Sequence, residues 1–165
     1  MLILHCTNKF LDQLEIEPSM EKVVSDRGIL GSWSATYFYY NNDKVFLFVN
    51  DATLFSFTLR CLTSDIMKIE IMAGLIDSLH RVNVPLNIIG KIRKESDDII
   101  FTKNTNRRVI GSINNLVYLY QYSMQQYRDR YSINMNEIES KMHRVPFKYL
   151  SYKLPVDVLK SKLKI

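Results

Sequence analysis

Glycine is scarce in this chain. Five glycines among 165 residues leave no G-x-x-x-x-G-K-[ST], no G-x-G-x-x-G and no G-x-S-x-G. A glycine-rich phosphate cradle and a nucleophile elbow are therefore excluded. Cysteine is as sparse: Cys6 and Cys61 stand far apart in apolar surroundings, LILHCT and FTLRCL. Two distant cysteines make neither a C-x-x-C pair nor, alone, a zinc site, and both are expected to be buried, reduced thiols. The three histidines, His5, His80 and His143, show no H-E-x-x-H spacing. No metal or cofactor is expected, and no residue is assigned as catalytic. No apolar run approaches the ~20 residues that span a membrane. The opening MLILHCTNKF has no basic segment ahead of its short apolar run, so no secretory signal is expected and the cytoplasm is the expected compartment.

One acidic pattern is also incomplete. ESDDIIFTK (95–103) offers Asp98 and Lys103 as the ends of a metal-nuclease motif, but Phe101 stands where a second acid must hold the metal. The stretch reads as a hydrated turn between a helix and a strand.

What is present describes a globular domain. The chain is 47% hydrophobic and 24% charged, and its length suits a single domain over 1–165 with a real core. The net charge of +5 is unevenly spread. From residue 141 onward, Lys141, Arg144, Lys148, Lys153, Lys160, Lys162 and Lys164 are opposed only by Asp157, so this segment carries about +6 and the rest about −1. A basic segment of this kind meets nucleic acid, an acidic partner or only water.

Periodicity supplies the elements. LILHC (2–6) reads as a short buried strand and KFLDQLEI (9–16) as a short helix, with a surface loop over 19–32. SWSATYFYY (32–40) and KVFLFVN (44–50), separated by NND, form a β-hairpin, since Asn and Asp tolerate the left-handed backbone of a tight turn. The second of these strands is almost wholly apolar and belongs inside its sheet. DATLFSFTLRCL (51–62) leans towards β. TSDIMKIEIMAGLIDSLHRVN (63–83) carries an apolar stripe at helical spacing. A shorter helix follows from Pro85, then the strand DDIIFTK (97–103) and a long helix over 111–131. NMNEIESKMHR (134–144) is helical, VPFKYLSYKL (145–154) extended, and a last amphipathic helix starts at Pro155. The fold class is α+β: a mostly antiparallel sheet with a central hairpin at about 32–50, packed by helices around 63–83 and 111–131.

The stretch FTKNTNRRVIGSINNL (101–116) concentrates polar and cationic residues where a strand hands over to a helix. Gly111, Ser112 and Asn115 are accounted for as a helix cap. Arg107, Arg108 and the run Asn104-Thr105-Asn106 are not. They fall just before the expected helix N-terminus, where N–H groups, the helix dipole and two guanidinium forks favour an anion.

Four motifs carry a resemblance: L-x-L-H-C-T-x-K-x-L-x-x-L from Leu2 to Leu14, Trp33 before the hairpin, F-V-N-D-A-T-L from Phe48 to Leu54, and NRRVIGSIN (106–114), read as N-x-R-x-V-x-G-S-x-N across its two arginines. In this order they resemble a domain family of unknown function found in small stand-alone bacterial and phage proteins. The resemblance implies a cytoplasmic domain of mobile elements, with a phage-defence, counter-defence or toxin–antitoxin setting. It picks out Thr7, Lys9, Trp33, Asn50, Thr53, Arg108, Ser112 and Asn114.

The functional expectation is a non-enzymatic protein that binds another macromolecule, a protein partner before nucleic acid. Its contact residues are expected among Thr7, Lys9, Asn106, Arg107, Arg108, Ser112, Asn114, the tyrosine-bearing helix and the basic C-terminal segment. A nucleic-acid binder using that segment, with Tyr149 and Tyr152 interleaved, is the first alternative. A metal-independent RNA- or phosphate-acting enzyme, drawing on Thr7, Lys9, His5 or the Arg107/Arg108 loop, is the second.

Overall fold

The computed structural model of the chain describes residues 1–20 and 28–165. The loop expected over 19–32 lies in part outside these residues. The elements run β1 (Leu2–Cys6), α1 (Asn8–Gln13), β2 (Trp33–Tyr40), β3 (Asp43–Asn50), β4 (Ser56–Leu59), α2 (Met67–Arg81), α3 (Leu86–Glu95), β5 (Ile99–Lys103), α4 (Arg107–Met124), α5 (Met135–Met142), a 3-10 turn (Lys148–Leu150) and α6 (Pro155–Leu163).

The hairpin forms as expected. Asn41 and Asn42 take φ of 47° and 67° between β2 and β3, the positive values that a two-residue turn of matching twist requires. The sheet order is β4-β3-β2-β1-β5, so β3 is an inner strand, in keeping with its apolar sequence. The α+β class holds, with a mixed sheet. β2–β3 and β3–β4 pair antiparallel, whereas β1 pairs parallel with both β2 and β5. The parallel half arises because the chain leaves β1, crosses one face through α1 and re-enters the sheet from the same end.

Strand alternation loads both faces. Leu2, Leu4, Cys6, Trp33, Ala35, Phe46, Phe48 and Phe57 point one way and are covered by α1, α2, α3 and α6. Phe38, Val45, Leu47 and Val49 point the other way and meet Val109, Ile113, Leu116 and Tyr120 of α4 with Ile138 and Met142 of α5. The basic C-terminal segment is thus folded onto the body. Phe147 and Leu150 enter one core, Leu159 and Leu163 the other.

Each sheet edge is partly covered among the described residues. The Ser19 amide donates to the Phe101 carbonyl outside β5, at 2.8 Å. Beyond β4, the buried Glu139 carboxylate accepts from the amide and hydroxyl of Thr58 at 2.7 and 2.6 Å, and it also takes the Arg81 guanidinium at 2.5 Å.

Three local expectations are corrected. The long helix begins at Arg107, not 111, and ends at Met124. The Asn106 side chain accepts from the amides of Arg108 and Val109, so asparagine caps the helix, and Ser112 sits inside it with its hydroxyl donating to the Arg108 carbonyl. The stretch 145–154 is not a strand: Lys148–Leu150 coils, and Ser151 and Tyr152 take positive φ. Cys6 is buried as expected, but Cys61 is exposed, because it lies just past β4 where the chain leaves the sheet. No helix among the described residues is long and apolar enough to cross a membrane.

Candidate functional site

Strands β1 and β5 run side by side and finish together. Cys6 stands opposite Lys103, and the Asn104 amide donates to the Cys6 carbonyl at 2.9 Å. From there the chain diverges, to α1 on one face and to α4 on the other. Divergence at the carboxyl ends of parallel strands opens a crevice, the usual ligand position in such sheets.

A third segment completes the crevice. The β3–β4 turn approaches from the amino end of β2, where Asn50 is level with Trp33 and Leu4, and it is shaped by the fully buried Asn50. The Asn50 amide group donates to the Leu30 carbonyl at 2.9 Å, and its oxygen accepts from the amide and hydroxyl of Thr53, both at 3.0 Å. With Leu54 at φ 55°, the turn holds Asp51 beside the start of β2, where its amide donates to the Ser32 carbonyl at 3.1 Å.

The side chains meeting here form a polar line. Thr102 Oγ1 lies 2.7 Å from His5 Nδ1. His5 Nε2 faces Asp51 Oδ2 at 3.8 Å, beyond hydrogen-bond range. Ser34 Oγ donates to Asp51 Oδ1 at 2.6 Å and accepts from Asn104 Nδ2 at 2.9 Å. Of these groups, His5, Asp51 and Asn104 border a hollow of about 450 Å³ that Asn106, Tyr149 and Lys162 also line. A second hollow, of about 740 Å³, adjoins it across Ala52 and Lys162 and runs along α6.

Tyr149 joins the crevice to the basic groups. Its hydroxyl donates to the Asp51 carbonyl at 3.0 Å, and the Arg108 guanidinium lies 4.8 Å from its ring centre. On its far side, Arg108 and Lys148 line a third hollow with Ser112 and Asn115. Arg107 and Arg108 occupy the first turn of α4, which contains no acid. Neither arginine is in an ion pair among the described residues. Cations at the positive end of a helix are electrostatically unfavourable, so this turn is short of negative charge.

The residues singled out in the sequence divide. Asn106 and Lys162 line the crevice, Arg108 and Lys148 line the third hollow, Lys153 lines the second with Lys162, and Arg107 is exposed on α4. Thr7 lies at the same end, but its hydroxyl donates to Thr36 Oγ1 at 3.1 Å. Lys9 stands over the Tyr37 ring at 4.9 Å, and neither lines the hollow. Asn114 is exposed on the outer side of α4. Lys141 pairs with Glu137 at 3.1 Å; Arg144 and Lys164 are exposed, and Lys160 is half-buried. Trp33, Asn50 and Thr53 are buried and shape the fold.

Sequence reasoning did not assemble His5, Ser34, Asp51, Thr102, Asn104 and Tyr149. The available signal was a polar residue at the end of three apolar runs: His5 in LILHC, Asp51 after FLFVN and Asn104 after IIFTK.

With this geometry in view, the motif order from Leu2 to Asn114 acquires a common frame. A family model described as a domain of unknown function, DUF6933, matches residues 3–158. The chain belongs to that family. The match takes in every element from β1 into α6, so the crevice, the Asn50 turn and the start of α4 all fall within the family's domain. No curated protein matches the chain.

Proposed function

We propose that the protein binds a phosphate-bearing ligand, a nucleotide or a single strand of nucleic acid, at the basic end of the sheet. The observation that carries this reading is the first turn of α4. It presents Arg107 and Arg108 without a carboxylate partner, and Arg108 lines a hollow with Lys148 on the other side of Tyr149 from the one that Lys162 borders. Phosphate supplies the missing charge and matches the guanidinium fork. The Tyr149 ring fixes the plane of Arg108 and leaves its N–H edges free to donate. Electrostatic binding of this kind weakens steeply with salt.

The test is fluorescence anisotropy with a labelled single-stranded oligonucleotide, with mononucleotides as competitors, over a range of potassium chloride concentrations. Binding that falls with salt, and that falls at least tenfold in Arg107→Ala/Arg108→Ala, is the expected result. No binding at low salt, or binding that the double variant leaves untouched, overturns the reading.

A second reading rests on a different surface. Arg107, Asn114, Tyr118 and Tyr122 form one exposed row along α4, a composition that protein interfaces favour. A protein partner held by this row is lost in Tyr118→Ala/Tyr122→Ala, while oligonucleotide binding persists. Either reading suits a cytoplasmic protein, and the phage-defence, counter-defence or toxin–antitoxin setting rests on resemblance alone.

A further inference from the structure

His5 and Asp51 face one another on the wall of the hollow that Lys162 also lines. Two hydroxyls hold the surrounding groups. Ser34 occupies Asp51 Oδ1 at 2.6 Å, and Thr102 meets His5 Nδ1 at 2.7 Å. Asp51 Oδ2 and His5 Nε2 then face one another at 3.8 Å with no direct hydrogen bond. A single oxygen set beside that gap reaches both atoms at about 2.8 Å. The side chains of His5 and Asp51 are 31% and 16% exposed, so the gap opens to the hollow and a ligand can reach it.

The chemistry of the two atoms selects the group. Asp51 Oδ2 accepts and does not donate. When the Thr102 hydroxyl donates to Nδ1, His5 Nε2 carries the proton and donates; in the other tautomer Nε2 accepts. A hydroxyl, being both donor and acceptor, serves the first arrangement, donating to Asp51 Oδ2 and accepting from Nε2–H; its single proton cannot serve the two acceptors of the second. A phosphate oxygen cannot donate and is repelled by the Asp51 carboxylate, whereas Lys162 on the same hollow attracts it. The hollow therefore has a hydroxyl end at His5 and Asp51 and an anion end towards Lys162 and the start of α4.

We infer that the His5–Asp51 gap takes a ribose hydroxyl, so that the phosphate-bearing ligand is a ribonucleotide or RNA rather than DNA. This rests on the phosphate-binding reading above and narrows it. The 2′-hydroxyl, a donor and an acceptor, is the feature by which a protein separates RNA from DNA at one position.

The experiment compares matched oligouridylate and oligodeoxyuridylate by anisotropy with the wild-type chain, and uses uridine and deoxyuridine monophosphates as competitors. The two sugars differ only at the 2′ position. A ribose preference of roughly tenfold or more is expected, as for a lost buried hydrogen bond. In Asp51→Asn, checked for folding by its melting curve, that preference collapses to less than about threefold. Competition by the monophosphate alone assigns the site to a ribonucleotide, and binding restricted to the oligomer assigns it to RNA. Equal wild-type binding of the two sugars overturns the inference and leaves the phosphate reading standing. So does a ribose preference that survives in Asp51→Asn. Binding of neither oligomer nor monophosphate overturns both.

Discussion

The guanidinium of Arg108 lies 4.8 Å from the ring centre of Tyr149, and through this pair the basic C-terminal segment meets the start of α4. The same tyrosine hydroxyl holds the backbone of Asp51. One side chain therefore couples the cationic turn, the acidic turn and the folded C-terminal segment. In Tyr149→Phe the stack is kept and only the hydroxyl contact is lost, so oligonucleotide affinity is expected to stay within about twofold of wild type. In Tyr149→Ala the platform is lost, and affinity is expected to fall by roughly 2–5-fold, the worth of an exposed cation–π pair. Equal losses in the two variants would assign the effect to the hydroxyl instead.

Arg107 has a stability signature that separates a ligand contact from a structural one. It is exposed and unpaired in the first turn of α4, at the positive end of the helix dipole. Arg107→Ala is expected to raise Tm by roughly 1–4 °C while weakening phosphate binding. Thermal melting with and without oligonucleotide checks both. A fall in Tm would show that Arg107 has a stabilising contact.

Asn50 is expected to be essential to the turn that carries Asp51. Its side chain is fully buried and bonds to Leu30 and Thr53. Asn50→Ala leaves the Leu30 carbonyl and the Thr53 donors short of partners, at a cost of about 2–4 kcal/mol. Asn50→Asp keeps the acceptor and loses the donor to Leu30, and is expected to destabilise at least as much. Urea unfolding measures both, and a loss below about 0.5 kcal/mol would remove Asn50 from this role.

His143 makes stability depend on pH. It is buried, stacked on Phe55 with ring centroids 4.1 Å apart, and its Nε2 lies 2.6 Å from the Ser56 carbonyl. Burial, opposed by the bond to Ser56, lowers its pKa to about 4 from the ordinary 6.5. Between these values the unfolded chain takes a proton that the folded chain refuses. The contribution is therefore complete above the unfolded pKa and is lost as pH falls from about 6.5 to 4. It amounts to about 3 kcal/mol at most. Burial raises the Glu139 pKa, and that group acts in the opposite direction, gaining stability as pH falls. Urea unfolding at pH 7.5 and pH 5, wild type against His143→Gln, isolates the histidine. The wild type is expected to lose more on acidification, and parallel losses would rule the histidine out as the cause.

The basic ends of the two readings were visible in the sequence, but their meeting was not. The Arg107/Arg108 pair and the run of lysines after residue 141 are local features of composition. They meet because Phe147 and Leu150 are buried against the α4 side of the sheet, which brings Tyr149 to Arg108. Asn106 and Ser112 show the limits of reading a cap from sequence. Both residue types cap helices, and burial of Val109 extends the apolar face one turn earlier than the glycine suggested.

Hydrophobic spacing by itself determined that β1, the β2–β3 hairpin, β5 and the helices α2, α4 and α6 exist, because alternation of two and of 3.6 residues is written in neighbouring positions. The scarcity of glycine also excluded a glycine-rich phosphate cradle. Only the tertiary structure decided that β1 pairs parallel with β5, 97 positions away from Leu2 to Ile99. That pairing carries no local signal, since it depends on which buried faces close against each other. The crevice inherits this dependence. His5, Ser34, Asp51, Thr102 and Asn104 come from four separate parts of the chain, and each is an ordinary polar residue until the sheet sets their strand ends side by side.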